Sequence, residues 1–257
     1  MRYFIYLSYN GKNYRGWQEQ INAVSLPETI QKVLSVILGQ PIKIIGAGRT
    51  DAEVHAKFMV AHFDFEQELD CEQLTKHLNS FLPFDIAIQK IIRVNDKAHA
   101  RFSALARTYE YHLILQKNPF LKGLAYRHYK DDLDFGKMNE AARKMFIYKD
   151  FTSFSKLHTD TFTNNCTIYA AEWQKRDDMW VFRIQANRFL RNMVRSIVGT
   201  LLMVGEYKLS VDDFCKVIEA KDHQKSGPSA PAAGLYLVDI EYPKEIFLID
   251  SENAGLI

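Results

Sequence analysis

The segment Arg49-Thr50-Asp51-Ala52-Glu53-Val54-His55-Ala56 sets an arginine two residues from an aspartate, in a glycine-containing loop between strand-like stretches. A guanidinium at that spacing can hold a carboxylate ionised, ready to act as nucleophile or base. Taken alone, an aspartate in such a loop is more often a turn former, so Asp51 needs company before chemistry is assigned to it. Gly46-Ala47-Gly48, just upstream, invites a phosphate-loop reading, but no helix pattern with a Lys-Ser/Thr pair follows, and a lone G-x-G carries little.

A second set of charges lies far along the chain. If Arg188 to Val204 is one helix, 100° per residue puts Arg188, Arg191 and Arg195 within about 60° of one another. Phe189, Leu190, Met193, Val194, Ile197 and Leu201 then fill the opposite face. An arginine stripe of this kind suits phosphate contacts or a partner for a buried carboxylate; a solvated polar face is the plainer reading. Tyr109 and Tyr111 sit in a strand-like run beside Arg107, where tyrosines are usually filler, although such a ring can also stack on an unpaired base.

Other chemistries find little support. Eight histidines form no H-x-x-x-H or H-E-x-x-H arrangement, and no metal site is expected. Cys71, Cys166 and Cys215 are scattered without a C-x-x-C pair and read as buried thiols. The longest apolar stretch, Ile197 to Val204, is too short to cross a bilayer, so no membrane partner is expected. The chain opens on strand-like Arg2–Leu7 rather than a signal peptide, which makes the cytoplasm the default compartment. Net charge is only +2, yet no carboxylate interrupts Asp178–Glu206 or Asp96–Glu110, while Asp64, Glu66, Glu68, Asp70 and Glu72 crowd together. Separate basic and acidic faces follow, and RNA becomes a reasonable partner.

The elements that must position these residues can be sketched from pattern. A strand over 2–9 runs into the turn Asn10-Gly11. Ser25, Pro27 and Glu28 open a helix carrying Ile30, Val33, Leu34, Ile37 and Leu38, and Gly39 closes it. A short strand at Ile42–Ile45, a strand from Phe58 to Phe65, a helix capped by Asp70 and ended by Pro83, and a strand over Ile86–Val94 follow. The second half repeats the order loosely: a strand at Thr108–Leu115, a helix from Asp134 to Phe146, and a hairpin turning at Arg176-Asp177-Asp178. The helix from Arg188, a short one capped by Ser210 and a last strand at Leu235–Tyr242 complete it. Ser226–Pro231 reads as an exposed connection. The expected fold is α+β, two lobes of mixed, mostly antiparallel sheet plus helices, split near Lys97 into 1–97 and 98–257.

Seven segments in order resemble the tRNA pseudouridine synthase A family over nearly the whole chain. They are Tyr9-Asn10-Gly11 with Tyr14-Arg15-Gly16-Trp17-Gln18; Gly48 through Ala56; Ala100-Arg101-Phe102-Ser103-Ala104; Tyr109; Asp150–Phe154; Ala186-Asn187 with Phe189–Arg195; and Gly234-Leu235-Tyr236-Leu237. The resemblance implies the pseudouridine synthase fold with a cleft between lobes, and isomerisation of uridines 38, 39 and 40 in the tRNA anticodon stem-loop by a homodimer without cofactor. It makes Asp51 the catalytic carboxylate and Arg195 its basic partner. Tyr109 becomes the tyrosine that stacks on the target base, Arg49 the arginine that fills the space of a flipped nucleotide, and Leu235 the apolar residue beneath the site. Arg15, Arg188 and Arg191 are further RNA contacts. Two departures stand out: Glu53 replaces the family's usual glycine, and the start of the helix after Ser25 is worded differently. If residue 53 needs a positive φ, Glu53 is strained. Two rivals share some of these features. A non-catalytic tRNA-binding or RNA-folding protein needs no Asp51, and a carboxylate-dependent hydrolase needs a second carboxylate, for which Glu53 is the nearby candidate.

Overall fold

The computed structural model describes residues 1–18, 24–130, 132–156 and 163–248. Its described residues fall into two compact units: those within 1–52, 56–105 and 240–248 form the first, those within 53–55 and 106–239 the second. The first therefore keeps 98–105, beyond the single cut expected near Lys97, because Arg2 Nη1 donates to Ala98 O at 2.8 Å and Ala100 N donates to His62 Nδ1 at 3.2 Å. It also regains the chain near its end. Tyr242 OH donates to Ala100 O at 2.6 Å, and the Tyr242 ring meets Phe4 edge-on at 5.3 Å.

In the first unit β1 (Arg2–Tyr9) is flanked antiparallel by β3 (His55–Asp64) and β4 (Ile86–Val94), and β2 (Ile45–Gly46) adds to β3. Tyr3 to Leu7 are all buried, as a central strand covered on both faces requires. Helix α1 (Leu26–Leu38) begins where Ser25 Oγ accepts from Glu28 N and ends at Gly39 with φ 69°; α2 (Cys71–Phe81) is capped by Asp70 and packs on β4. The strand expected at Ile42–Ile45 is displaced to Ile45–Gly46. Ile42 N and Ile44 N donate instead to Ser35 Oγ and Gln31 Oε1 of α1, at 2.8 and 2.9 Å, so this stretch pairs with a helix rather than a sheet.

The second unit orders its strands β9 (Leu235–Glu241, entering the first unit at Ile240), β5 (Ala106–Ile114), β8 (Met179–Ala186) and β7 (Ile168–Arg176). The β5–β8 and β7–β8 pairs are antiparallel, whereas the short β6 (Tyr126–Arg127) joins β5 in parallel. Asp177, at φ 52°, makes the β7–β8 turn. Helix α3 (Phe135–Lys144) is clipped to β7 by Asn139, whose side chain exchanges two hydrogen bonds with the Trp173 backbone at 2.7 and 3.0 Å. Helices α4 (Met193–Gly205) and α5 (Val211–Glu219) pack with it.

Three expectations need correction here. Helix α4 starts at Met193, not Arg188, so Arg188 and Arg191 do not share a helical stripe with Arg195. Asn192 has φ 66°, Arg191 O accepts from Lys156 N at 3.1 Å, and Asn187 Oδ1 accepts from both Thr167 N and Arg188 N; these bonds hold the backbone out of the helix. What remains of α4 is buried almost all round. The connection 226–231 is exposed at Pro228, Ser229 and Pro231, as expected, but Gly227 and Ala230 are tied to α4. Gly227 N donates to Thr200 Oγ1, Ala230 N donates to Arg195 O, and Ala230 is buried. All three cysteines are free, but only Cys166 is buried.

Burial in the first unit also sets a pH response. His62, on β3, is 2% exposed and its pKa is lowered to about 4, first by burial, then by the charges of Arg2 and His99; Asp64 and the Ile45 backbone oppose them weakly. An unfolded histidine titrates near ~6.5, so between that pH and about 4 the unfolded chain binds more protons and stability falls as pH falls. The expected loss from this residue is on the order of 2–3 kcal/mol. Denaturant titrations at pH 7, 5.5 and 4.5 should show it, and His62→Asn, which keeps an acceptor near Nδ1, should flatten the slope. An unchanged slope would remove His62 as a cause.

Candidate active-site loop and its companions

In the first unit the loop carrying Asp51 is braced from below. Ala47 N donates to Val60 O at 2.8 Å, Trp17 N to Thr50 O at 3.2 Å, and the buried Tyr9 and Thr50 hydroxyls lie 2.9 Å apart. Gly16 has φ 87°, and a Cβ there would stand 2.2 Å from Thr50 O and 2.9 Å from Asp51 C. At Gly46 a Cβ would strike the Trp17 ring at 2.2 Å. Two glycines thus allow an aromatic bracket to press against the loop backbone. The bracket is itself anchored: Asp85 accepts from Tyr14 OH at 2.6 Å and Asn13 Nδ2 at 3.2 Å, and its carbonyl accepts from Asn10 N. Burial, then the Asp85 hydrogen bond, pushes the Tyr14 hydroxyl far up, so it stays a donor. Asp51 is half-buried, and Arg49 and Arg15 are exposed.

After Ala52 the chain passes into the second unit. Glu53 does sit at positive φ, 65°, as the departure from glycine suggested. A side chain in that region costs about 1–2 kcal/mol, partly offset by the ~0.5–1 kcal/mol that glycine costs in chain entropy. Glu53→Gly is therefore expected to raise stability by about 0.5–1 kcal/mol and the melting temperature by a few degrees. A lower melting temperature would mean that the glutamate side chain more than repays its strain. Val54 and His55 are buried; the His55 ring stacks on Tyr236 at 4.6 Å, and Tyr236 on His112 at 4.3 Å. Burial is the main cause holding the His55 pKa below the usual imidazole value, and its Nε2 lies 3.2 Å from Ala233 O. His112 in turn meets buried Glu110, which Arg176 and Arg183 answer at 2.9 and 3.5 Å. Arg183, inside the stretch between Asp178 and Glu206 that lacks carboxylates, is thus engaged in an ion pair.

The second unit holds the remaining candidates. Tyr109 stands on β5 opposite Ile184, is 9% exposed, and meets Phe189 edge-on at 5.1 Å with the rings 88° apart. Phe189 belongs to the irregular 187–192 segment, which Asn187 fastens at its start and Arg107 Nη1 at Asn187 O, 3.2 Å. Tyr111 is core: it is fully buried, and its hydroxyl donates to Pro231 O at 2.9 Å. Arg195, in the first turn of α4, donates from Nε to Ala230 O at 2.7 Å while its own carbonyl accepts from Ala230 N. A Cβ at Gly199 would lie 1.8 Å from Pro228 O, so the same connection presses on α4 one turn further along. Leu235 follows as the buried first residue of β9. Arg188 is half-buried and Arg191 exposed.

Within each unit, then, Arg49 and Asp51 share a loop, with Arg15 beside the glycine that supports it. Tyr109 meets the Arg188 segment through Phe189, and the 226–234 connection links Arg195 to Leu235. Sequence reasoning named Tyr9, Gly16, Trp17 and Phe189 only as landmarks, without a supporting role, and missed Gly199; an aromatic-flanked glycine near the start was the available signal. A cavity of about 320 Å³ lined by Lys137, Glu140, Tyr207 and Asp212 includes none of the candidates. Among the described residues no helix is long and apolar enough to cross a membrane, and no three His, Cys, Asp or Glu residues are grouped to hold a metal.

The units are mixed α/β with mostly antiparallel strands, one presenting an aspartate on a stiffened loop, and the matching family model puts the chain in the pseudouridine synthase class. The family model described as tRNA pseudouridine synthase matches residues 5–103 and 141–243, with Asp51, Arg195 and Leu235 inside those stretches and Tyr109 between them. The tRNA pseudouridine synthase A of Bacteroides fragilis is 57% identical over 248 residues, covering 96% of this chain and 98% of that protein. Its namesake in Bacteroides thetaiotaomicron is 54% identical over 258 residues, 99% and 96% of the two chains. That of Vibrio campbellii is 38% identical over 249 residues, 96% and 94%. The chain belongs to the tRNA pseudouridine synthase family, a family of isomerases.

Proposed function

We propose that this protein converts uridines 38, 39 and 40 of the tRNA anticodon stem-loop to pseudouridine, with Asp51 as the reacting carboxylate. The observation that carries the reading is the bracing of the Asp51 loop, where Tyr9 holds the Thr50 hydroxyl while Trp17 and Gly16 hold and press on the Thr50 backbone carbonyl. Pre-set geometry of this kind is what positioning a carboxylate against a sugar requires.

Uridine and pseudouridine are isomers, so the balance needs no donor, oxidant or reductant. The bond from uracil N1 to ribose C1′ breaks, the base turns, C5 bonds to C1′, and the C5 proton is lost while N1 gains one. Asp51 starts this by attacking C1′, its bond there breaking again when C5 attaches, or by removing the C2′ proton, which it returns to C2′ when C5 attaches. Arg195 supplies the positive charge for the carboxylate, and Tyr109 stacks on the base and handles the C5 proton. The target must leave its stem, at a cost of a few kcal/mol, and the exposed Arg49 occupies the space it vacates. Leu235 packs beneath the base, while Arg15, Arg188 and Arg191 contact RNA phosphate. A homodimer acting in the cytoplasm completes the reading on family grounds.

The positional claim is tested by incubating the protein with unmodified tRNA and mapping pseudouridine by sequence. Modification at 38–40 is expected; modification confined to other positions would overturn the assignment.

A further inference from the structure

The motif Ala100-Arg101-Phe102-Ser103-Ala104 has no part in the chemistry above, yet the first unit builds it with care. Phe102 is 76% exposed, and the turn that carries it is over-determined. His99 Nδ1 accepts from Arg101 N and Phe102 N at 3.1 and 3.3 Å, His99 O accepts from Ser103 N, and Ser103 Oγ accepts from His99 N at 2.9 Å. Beneath the turn, the His99 ring lies 4.4 Å from Phe102 and 4.6 Å from His62, and Ala98 and Ala100 are tied to Arg2 and Tyr242. The Arg101 guanidinium stands over the Phe102 ring at 5.5 Å. A singly exposed phenylalanine needs no explanation. One locked in place by its neighbours' backbone donors and topped by an arginine is a preorganised ledge.

We propose that Arg101 and Phe102 form an RNA-contacting ledge on which an unpaired base of the tRNA stacks, while the guanidinium answers an adjacent phosphate. Charge selects this occupant: from Lys97 to Tyr109 the chain carries Lys97, Arg101 and Arg107 and no carboxylate. Aromatic rings and arginine planes are the surfaces on which splayed RNA bases stack, and phosphate favours such a stretch. The inference rests on tRNA being the substrate and adds a binding element remote in sequence from Asp51.

The test measures tRNA affinity by direct titration, together with KM and kcat, for Phe102→Ala, Phe102→Leu, Phe102→Trp and Arg101→Ala. Phe102→Ala and Phe102→Leu should each weaken binding about tenfold and raise KM with kcat unchanged, and Phe102→Trp should behave as wild type. Arg101→Ala should lower the slope of log affinity against log salt by about one. Melting temperatures should not move, because the ring is exposed. Full affinity in Phe102→Leu would overturn the proposal, as would a shift in sedimentation on Phe102→Ala, which would assign the face to a second copy of the chain. The titrations read this surface even if the wild type forms no pseudouridine, so failure of the catalytic reading stays separate.

Discussion

Asp51→Asn is expected to bind tRNA within a few-fold of wild type and to form pseudouridine at least about 10⁴-fold more slowly. The amide keeps the size and hydrogen-bonding reach of the side chain, but it can neither displace uracil from C1′ nor take the C2′ proton. Removing a group that starts the bond-breaking step lowers k by four to six orders of magnitude in well-measured enzymes. Binding should persist because the phosphate contacts proposed above lie elsewhere, and Arg49, Arg15 and Arg191 are all exposed. Single-turnover assays with saturating enzyme separate the two effects. This variant also divides the enzyme from its rival, a tRNA-binding or RNA-folding protein without catalysis: for such a protein Asp51→Asn would change nothing measured.

Gly16→Ala is the second large effect. Its Cβ would lie 2.2 Å from Thr50 O and 3.0 Å from Asp51 O, both backbone atoms in a braced loop, and φ 87° is a conformation alanine avoids. No flexible side-chain tip can yield, so the bracket or the loop must move. A stability loss of about 2–4 kcal/mol is expected. A displacement near 1 Å at Asp51 can lower kcat about 100-fold. Gly39→Ala supplies the control, since Gly39 has φ 69° with nothing within 4 Å of its added Cβ. That variant bears the conformational strain without the collision and should keep full activity. Equal behaviour of the two would show that the bracket does not hold the loop.

Elements with local signals were legible from residues alone. Ser25 and Gly39 bound α1, Asp70 and Pro83 bound α2, Asp134 caps α3, Ser210 opens α5 with a reciprocal capping pair, and Asp177 turns the β7–β8 hairpin. Each signal lies within a few residues of what it decides. The misplaced elements came from hydrogen-bond partners outside the element itself. Phe189 and Leu190 continue the helical period of α4, but Thr167 N and Lys156 N, twenty or more residues from their partners, hold 187–192 in another conformation. Ser226–Pro231 has the composition of a solvated loop, yet Thr200 and Arg195 satisfy its backbone. Ile42–Ile45 looks like a strand, yet Gln31 and Ser35 take its donors.

The candidate site divides in the same way. The residues named for chemistry could be read as ordered motifs, and the strain flagged at Glu53 on condition of a positive φ meets a φ of 65°. What could not be read was support: no periodicity announces that Gly16 must lack a Cβ for Thr50 to sit where it does, or that Phe189 meets Tyr109 edge-on. Packing is set by which surfaces meet, and sequence spacing records that only inside one element.

The central claim is that the glycosidic bond of a tRNA uridine is broken and remade as a carbon–carbon bond. It is tested most directly by digesting unmodified tRNA after reaction with wild-type protein and quantifying pseudouridine, uridine and free uracil together by mass spectrometry. The account predicts that each uridine lost reappears as pseudouridine and that no uracil is released. Free uracil accompanied by abasic sites would contradict it, making the Asp51 chemistry that of a hydrolase.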